Sequence, residues 1–173
     1  FLNDALFEKA LVIRLDEAHE DLALKGLQLN LRQIGGQGNF SKIFLHLGPH
    51  VRLKFAIVEE VFQSEFNHWS IHIQLDEGAK LELSRVQISD DTSSALTHIE
   101  VIQAASSQYR HIQATLGARL SRSSILSMLQ GEKAQTDIFG VSVLDEKLQS
   151  HTYLQLEHQA AETESTQRFS QAL

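Results

Sequence analysis

A short phrase recurs along this chain: an alternating strand pattern, a corner that contains glycine, and a second alternating strand pattern. Three copies read IFLHLGPHVRLKFAIV, IHIQLDEGAKLELSRV and IQATLGARLSRSSILSML, and SMLQGEKAQTDIFGVSVL is a looser fourth. The corner glycines are Gly48, Gly78, Gly117 and Gly131. A unit this small cannot bury its own apolar face, so the copies must stack on one another to share a core. The pattern therefore predicts an all-β chain built as a β-solenoid.

The spacing of the corner glycines indicates which type of β-solenoid the chain forms. Successive glycines are 30, 39 and 14 residues apart, so the repeat reads as irregular. Strict hexapeptide repeats form the left-handed helix, which needs a fixed period. A right-handed parallel β-helix accommodates loops of variable length. We expect this fold for a single β-helix core domain over residues 1–173.

Both ends of the chain contain segments that are permissive for helix. Asn3 or Asp4 is a suitable N-cap, and a short N-terminal helix would include Ala5, Leu6, Phe7 and Ala10. From Leu11 the apolar residues alternate, which predicts a strand. At the other end, HQAAETESTQRFSQAL is helical by propensity, whereas the solenoid register favours strand for part of it. The glycine-rich residues 35–41 are interpreted as a turn between two coils.

The polar residues offer no clear catalytic or metal site. The nine histidines include two pairs spaced by four residues, His46/His50 and His68/His72. In a strand such pairs lie ~13 Å apart, too far to share one metal ion. Glu59 and Glu60 are adjacent and so point to opposite faces of a strand. With no GxSxG motif either, we expect a chain that is not an enzyme, has no catalytic residue and forms no metal site on its own.

Composition argues against nucleic acid and membranes as partners. The formal net charge is −7 and the basic residues are scattered, which argues against nucleic acid. No apolar run approaches the ~20 residues that span a bilayer, so no membrane partner is expected. The absence of cysteine fits the cytoplasm and excludes thiolate chemistry by these residues.

Three stretches resemble the SufB/SufD family of iron–sulfur cluster assembly proteins. FLNDALFEKALVIRL resembles the entrance to the family's core, and NHWSIHIQLDEGAKLELSRVQ, which ends at Gln87, resembles one of its rungs. The longest shared stretch runs from HIQATLGARL to YLQLEH, with His158 followed seven residues later by Ser165. The positions that match the family pattern there are Gly117, Arg122, Leu129, Gly131, Gly140 and His158.

The resemblance implies a SufD-like, non-catalytic scaffold subunit of a SufBCD-type complex. It implies a SufB-like subunit and a SufC-like ATPase as partners, and a homodimer is a further option. The iron–sulfur cluster would belong to the complex, with no cofactor bound by this chain alone. The absence of cysteine favours SufD over SufB. His158 is the one weak candidate for a metal contact.

The chain also departs from the family pattern. Ser170 stands where the family phrase has lysine, and family members continue to a helical region that is absent from this sequence. We expect the chain to be a piece of a longer protein. Two alternatives stay open from the residues alone: a carbohydrate-active β-helix enzyme and a self-assembling structural solenoid.

Overall fold

The structure is a computed structural model that describes residues 9–16, 25–36, 38–145 and 147–172. Within these ranges the regular elements are twelve β-strands, which confirms the all-β prediction. They are β1 (Lys9–Leu15), β2 (Leu27–Ile34), β3 (Asn39–Leu47), β4 (Arg52–Phe62), β5 (Asn67–Leu75), β6 (Lys80–Ser89), β7 (Ser94–Gln103), β8 (Gln108–Leu116), β9 (Leu120–Leu129), β10 (Gln135–Val143), β11 (Gln149–His158) and β12 (Glu164–Ala172). The short N-terminal helix was predicted on residues that lie outside the described ones, except for Ala10, which lies in β1.

The strands form two parallel sheets of six. Sheet A has the order β1-β3-β5-β7-β9-β11, and sheet B has the order β12-β10-β8-β6-β4-β2. Each odd strand and the even strand that follows it make one coil, so the described residues form six coils. The chain is therefore the stacked β-solenoid that the recurring phrase predicts.

Side chains alternate between the interior of the solenoid and its outer faces, as the period-two patterns require. Identical positions of successive coils lie in register and form columns. Ile43, Ile71, Ile99 and Ile125 are such a column in sheet A, and all four are buried. Burying one aliphatic side chain of this size contributes about 1.5–3 kcal/mol. The columns therefore stabilise each coil against its neighbours.

The corners show that the repeat is regular, which corrects the irregular spacing inferred from glycine. One residue at each odd-to-even corner from β3–β4 to β11–β12 has a left-handed backbone, and these residues follow one another at intervals of 28, 28, 27 and 29 positions. They are His50, Gly78, Ser106, Lys133 and Glu162. Only one of the five is glycine, and Gly117 lies at the opposite corner. Glycine was thus a poor marker of the period, which is about 28 residues.

Two glycines are required because consecutive coils approach closely at the corners. Gly117 has a φ of 81°, and a Cβ there would collide with the carbonyl oxygen of Ser89 in the coil before. A Cβ on Gly131 would collide with the backbone of Ala104 and Ala105. The two glycines therefore set the spacing of the stack.

The C-terminal segment follows the solenoid register and not its helical propensity. β11 runs to His158, and β12 begins six residues later at Glu164. All nine residue pairs between β10 and β12 are parallel and in register. Backbone pairing with the preceding coil therefore outweighs the local preference for helix.

Candidate functional site

His158, the predicted weak candidate, lies at the open end of the stack. Its Nδ1 atom is 2.8 Å from Thr163 Oγ1, and its Nε2 atom is 3.1 Å from Ser165 Oγ. The structure therefore brings together the histidine and the serine of the shared phrase. Both of its ring nitrogens are engaged by hydroxyl groups across the corner between β11 and β12, an arrangement that ties these two strands together.

The other positions that match the family pattern do not converge on one site. Leu129 is buried in the interior. A Cβ on Gly140 would collide with the ring of Phe169 in the following coil. Gln87 is also buried, and its amide oxygen accepts a hydrogen bond from Ser121 at 2.9 Å. Arg122 is exposed on the outer face of sheet A. These residues shape the stack at separate places.

The adjacent carboxylates Glu59 and Glu60 point to opposite faces, as strand geometry predicts. Glu59 is fully buried, whereas Glu60 faces outward, 3.4 Å from Arg32. His46 Nε2 lies 2.9 Å from Asp76 Oδ2 in the next coil. Among the residues that the structure describes, no three histidine, aspartate or glutamate side chains are placed to hold a metal ion.

The interior contains a buried ion pair. Arg85 donates from Nε to Glu59 Oε1 and from Nη2 to Glu59 Oε2, both at 2.7 Å, and a further hydrogen bond goes to Thr97. The side chains of Arg85 and Glu59 are 1% and 0% exposed. A buried pair of this kind persists only when both charges are satisfied at short range. The bidentate contact therefore fixes the register of the two coils at this point.

A second buried pair of polar side chains, Tyr109 and His111, lies on β8 in the next coil. The hydroxyl of Tyr109 is 2.6 Å from His111 Nδ1. Burial, with a smaller contribution from the charge of Arg85, lowers the pKa of His111 to about 3. Burial also raises the pKa of Tyr109. Both groups are therefore neutral at neutral pH. Two atoms here, Arg85 Nη1 and His111 Nε2, have no partner among the described residues.

Further polar contacts fill the interior towards the C-terminal end. Ser127 donates to Gln103 Oε1 at 3.0 Å, and Thr136 bonds the same oxygen. Ser123 donates to Gln113 Oε1 at 3.1 Å. This interior network was not predicted from the sequence. Its signal was present, because each of these polar residues occupies an inward position in an alternating pattern.

The outer face of sheet A contains a groove over β5, β7, β9 and β11. Its volume is 520 Å³, and its lining includes Ser70, His72, Glu100, Arg122 and Tyr153. Ser70 Oγ lies 3.0 Å from His72 Nε2, and His72 Nδ1 lies 3.1 Å from Glu100 Oε2. From the sequence, His72 was considered only together with His68, as a possible pair of metal ligands. The partner Glu100 lies 28 residues further on, and only the coil register brings it close.

Comparison with known protein families places most of the chain in one domain family. Residues 30–173 match the family model described as SUF system FeS cluster assembly, SufBD core domain. A search of curated proteins found no match. In the described part of the chain, no helix has the length and apolar character needed to cross a membrane. The matched range covers β3 to β12 and most of β2.

Proposed function

The chain belongs to the SufBD core domain family of the SUF system, which assembles iron–sulfur clusters, and from this premise we propose that it is a SufD-like scaffold subunit. Its partners would be a SufB-like subunit and a SufC-like ATPase in the cytoplasm. The cluster is the cargo of that complex, and this chain would contribute structure and not a catalytic step to its assembly.

The composition supports the SufD-like assignment over a SufB-like one. The 173 residues contain no cysteine, and thiolates are the usual ligands of iron–sulfur clusters. His46 and His72 bond the carboxylates of Asp76 and Glu100, so these imidazoles are engaged within the chain.

The outer face of sheet B carries the scaffold proposal. Ile112 and Leu116 of β8 and Val141 and Val143 of β10 occupy outward positions and are exposed. Leu116 and Val143 are paired in register, so the two strands present one apolar patch. Exposed apolar patches on a protein surface mark sites of contact with other proteins. The side of the stack therefore offers apolar area to a partner subunit.

Co-expression of the full-length protein with SufB-like and SufC-like subunits tests this proposal. We expect the three proteins to co-purify. Val141→Asp should weaken the complex at least about tenfold, because a charge would be buried at the contact. Ile34→Asp is the matched control, since Ile34 is also exposed on the outer face of sheet B but lies on β2, three coils before β8. Equal effects of the two substitutions, or no co-purification of the unmodified protein, would reject the proposal.

A further inference from the structure

Ser70, His72 and Glu100 have the connectivity of a nucleophile, a general base and an orienting acid. The hydroxyl of Ser70 reaches Nε2 of the imidazole at 3.0 Å, and the carboxylate of Glu100 reaches Nδ1 at 3.1 Å. An activated serine requires a base within about 2.6–3.2 Å and a third group that orients the base. When Nδ1 donates to Glu100, Nε2 is the acceptor for the Ser70 proton. This is the tautomer that the chemistry requires.

The imidazole of His72 is held on its face as well as at both nitrogens. The ring of Phe44, from the preceding coil, stacks on it with a centroid distance of 5.1 Å and an interplanar angle of 16°. The side chains of His72 and Glu100 are 28% and 31% exposed, so both are accessible from the groove. Phe44 and Glu100 are paired with His72 in the preceding and the following coil, so the register of the solenoid holds the ring in this orientation.

The groove supplies room and complementary chemistry for a small substrate. Ser70 is only 4% exposed but contributes to the lining of the 520 Å³ groove. The apolar side chains of Leu96 and Leu126 line the same groove and would contact an acyl chain. Arg122, on β9, also lines the groove and gives it a positive charge. A cationic side chain can stabilise the negative charge that develops on the oxygen of a reacting carbonyl.

We propose that Ser70, His72 and Glu100 form a hydrolytic triad that cleaves esters of short acyl groups. Ser70 Oγ attacks the carbonyl carbon while His72 Nε2 takes the hydroxyl proton, and that proton leaves on the departing alcohol. Water, activated by the same imidazole, then hydrolyses the acyl-serine to release the acid and regenerate Ser70. This activity goes beyond the scaffold role and does not depend on it.

The test uses the intact chain with a fluorophosphonate probe and with p-nitrophenyl butyrate. We expect a phosphonyl adduct on the peptide that contains Ser70, located by mass spectrometry. We also expect a burst of about one equivalent of p-nitrophenol per chain. The adduct is mapped in the unmodified protein, so this part of the test does not depend on any variant folding.

Variants then separate chemistry from structure. Ser70→Ala should abolish labelling, and His72→Phe, which keeps a ring against Phe44, should slow the burst about 100-fold. Glu100→Gln keeps a hydrogen-bonding group but should slow it at least about tenfold. Ser84→Ala is the control, because Ser84 lies on the outer face of β6 in sheet B and does not line the groove. It should label at the unmodified rate.

Two results would overturn the inference. One is the absence of an adduct on Ser70 in a protein that retains its circular dichroism spectrum. The other is labelling that persists unchanged in His72→Phe, which would show that the Ser70–His72 contact only fills hydrogen bonds. Neither result affects co-purification with partner subunits, so the scaffold proposal is judged separately.

Discussion

The interior of the second coil and that of the fifth coil are built from different chemistry, although each lies one coil from an end of the described stack. The inward residues of β3 and β4 are mostly large and apolar, and include Leu45, Leu53 and Phe55. The buried inward residues of β9 and β10 include Ser121, Ser123, Ser127, Thr136 and Ser142. The interior thus becomes more polar along the axis, although Ile125, Leu129 and Ile138 of the fifth coil are also buried, while the backbone ladder continues unchanged.

The comparison teaches that one backbone architecture is stabilised in two ways. The aliphatic coils gain from burial, which is non-directional and roughly proportional to the apolar area removed from water. The polar coils gain about 1 kcal/mol per hydrogen bond, and only when each buried group is satisfied. Arg85 and Glu59 mark the boundary between the two regions. Substitutions in the two regions should therefore lower the free energy of unfolding by different amounts and for different reasons.

The largest effect is expected at this boundary. Glu59→Ala leaves the buried guanidinium of Arg85 without its counter-charge and should lower the free energy of unfolding by about 3–5 kcal/mol. Urea denaturation measures the loss. Glu60→Ala is the control, since the neighbouring carboxylate faces solvent and should change stability by less than about 0.5 kcal/mol. Equal effects would contradict the assignment of the ion pair as buried.

A double replacement sharpens the same point. Glu59→Met combined with Arg85→Met removes both charges and extends the aliphatic interior by one coil. We expect most of the stability lost in Glu59→Ala to return, because apolar side chains of similar volume replace buried ion pairs at little cost. If the double variant were as unstable as Glu59→Ala, the polar interior would be required for folding.

In the aliphatic region a cavity should cost nearly as much. Leu83 is buried between Phe55 and His111 in its column, and Leu83→Ala should destabilise the protein by about 2–5 kcal/mol. Thermal and urea denaturation report this value. A loss below 1 kcal/mol would show that the coils collapse to fill the space.

The titration of His111 is expected to add a pH dependence. Its pKa is near 3 in the folded state and 6.5 ordinarily, so the unfolded chain binds this proton at a higher pH than the folded one. The folded protein is therefore favoured fully above pH 6.5. It loses about 1.4 kcal/mol for each pH unit between that value and pH 3. His111→Gln should remove this slope from a plot of unfolding free energy against pH, whereas His50→Gln, at an exposed corner, should leave it.

The smallest effect is expected in the polar region. Ser127→Ala removes a hydrogen bond to Gln103 and should cost about 1 kcal/mol, since Thr136 still bonds the same amide oxygen. Ser124→Ala, on the outer face of the same strand, should cost less than about 0.5 kcal/mol. If Ser127→Ala cost more than Leu83→Ala, the two regions would not differ in the way described.

Alternation in the sequence was sufficient to predict strands, stacking and the solenoid. It did not reveal the period, because a left-handed corner tolerates His50, Ser106, Lys133 and Glu162 as well as Gly78. Glycine is favoured there but not required when the corner backbone is held by hydrogen bonds to the next coil. One such bond runs from the Gly78 N–H to the Ala105 carbonyl at 2.9 Å.

The unknown period also explains why two pairs of interacting side chains were not predicted from the sequence. His72 and Glu100 are 28 residues apart, which is one full coil. Glu59 and Arg85 are 26 residues apart, which is two positions short of one full coil. The long side chain of Arg85 spans this offset. Without the period, neither pair is visible in the sequence. Once the period is known, both pairs can be predicted. The alternating pattern tells which residues point to the same face, and the period tells which residues of adjacent coils lie side by side.

Native-state hydrogen exchange tests the central claim most directly, because it resolves stability strand by strand. The second and fifth coils make the matched comparison, since end fraying affects both alike. We predict that amides of β3 and β4 open only with global unfolding, and that those of β9 and β10 open at a lower free energy. Equal protection of the two coils, or greater protection of β9 and β10, would contradict the account.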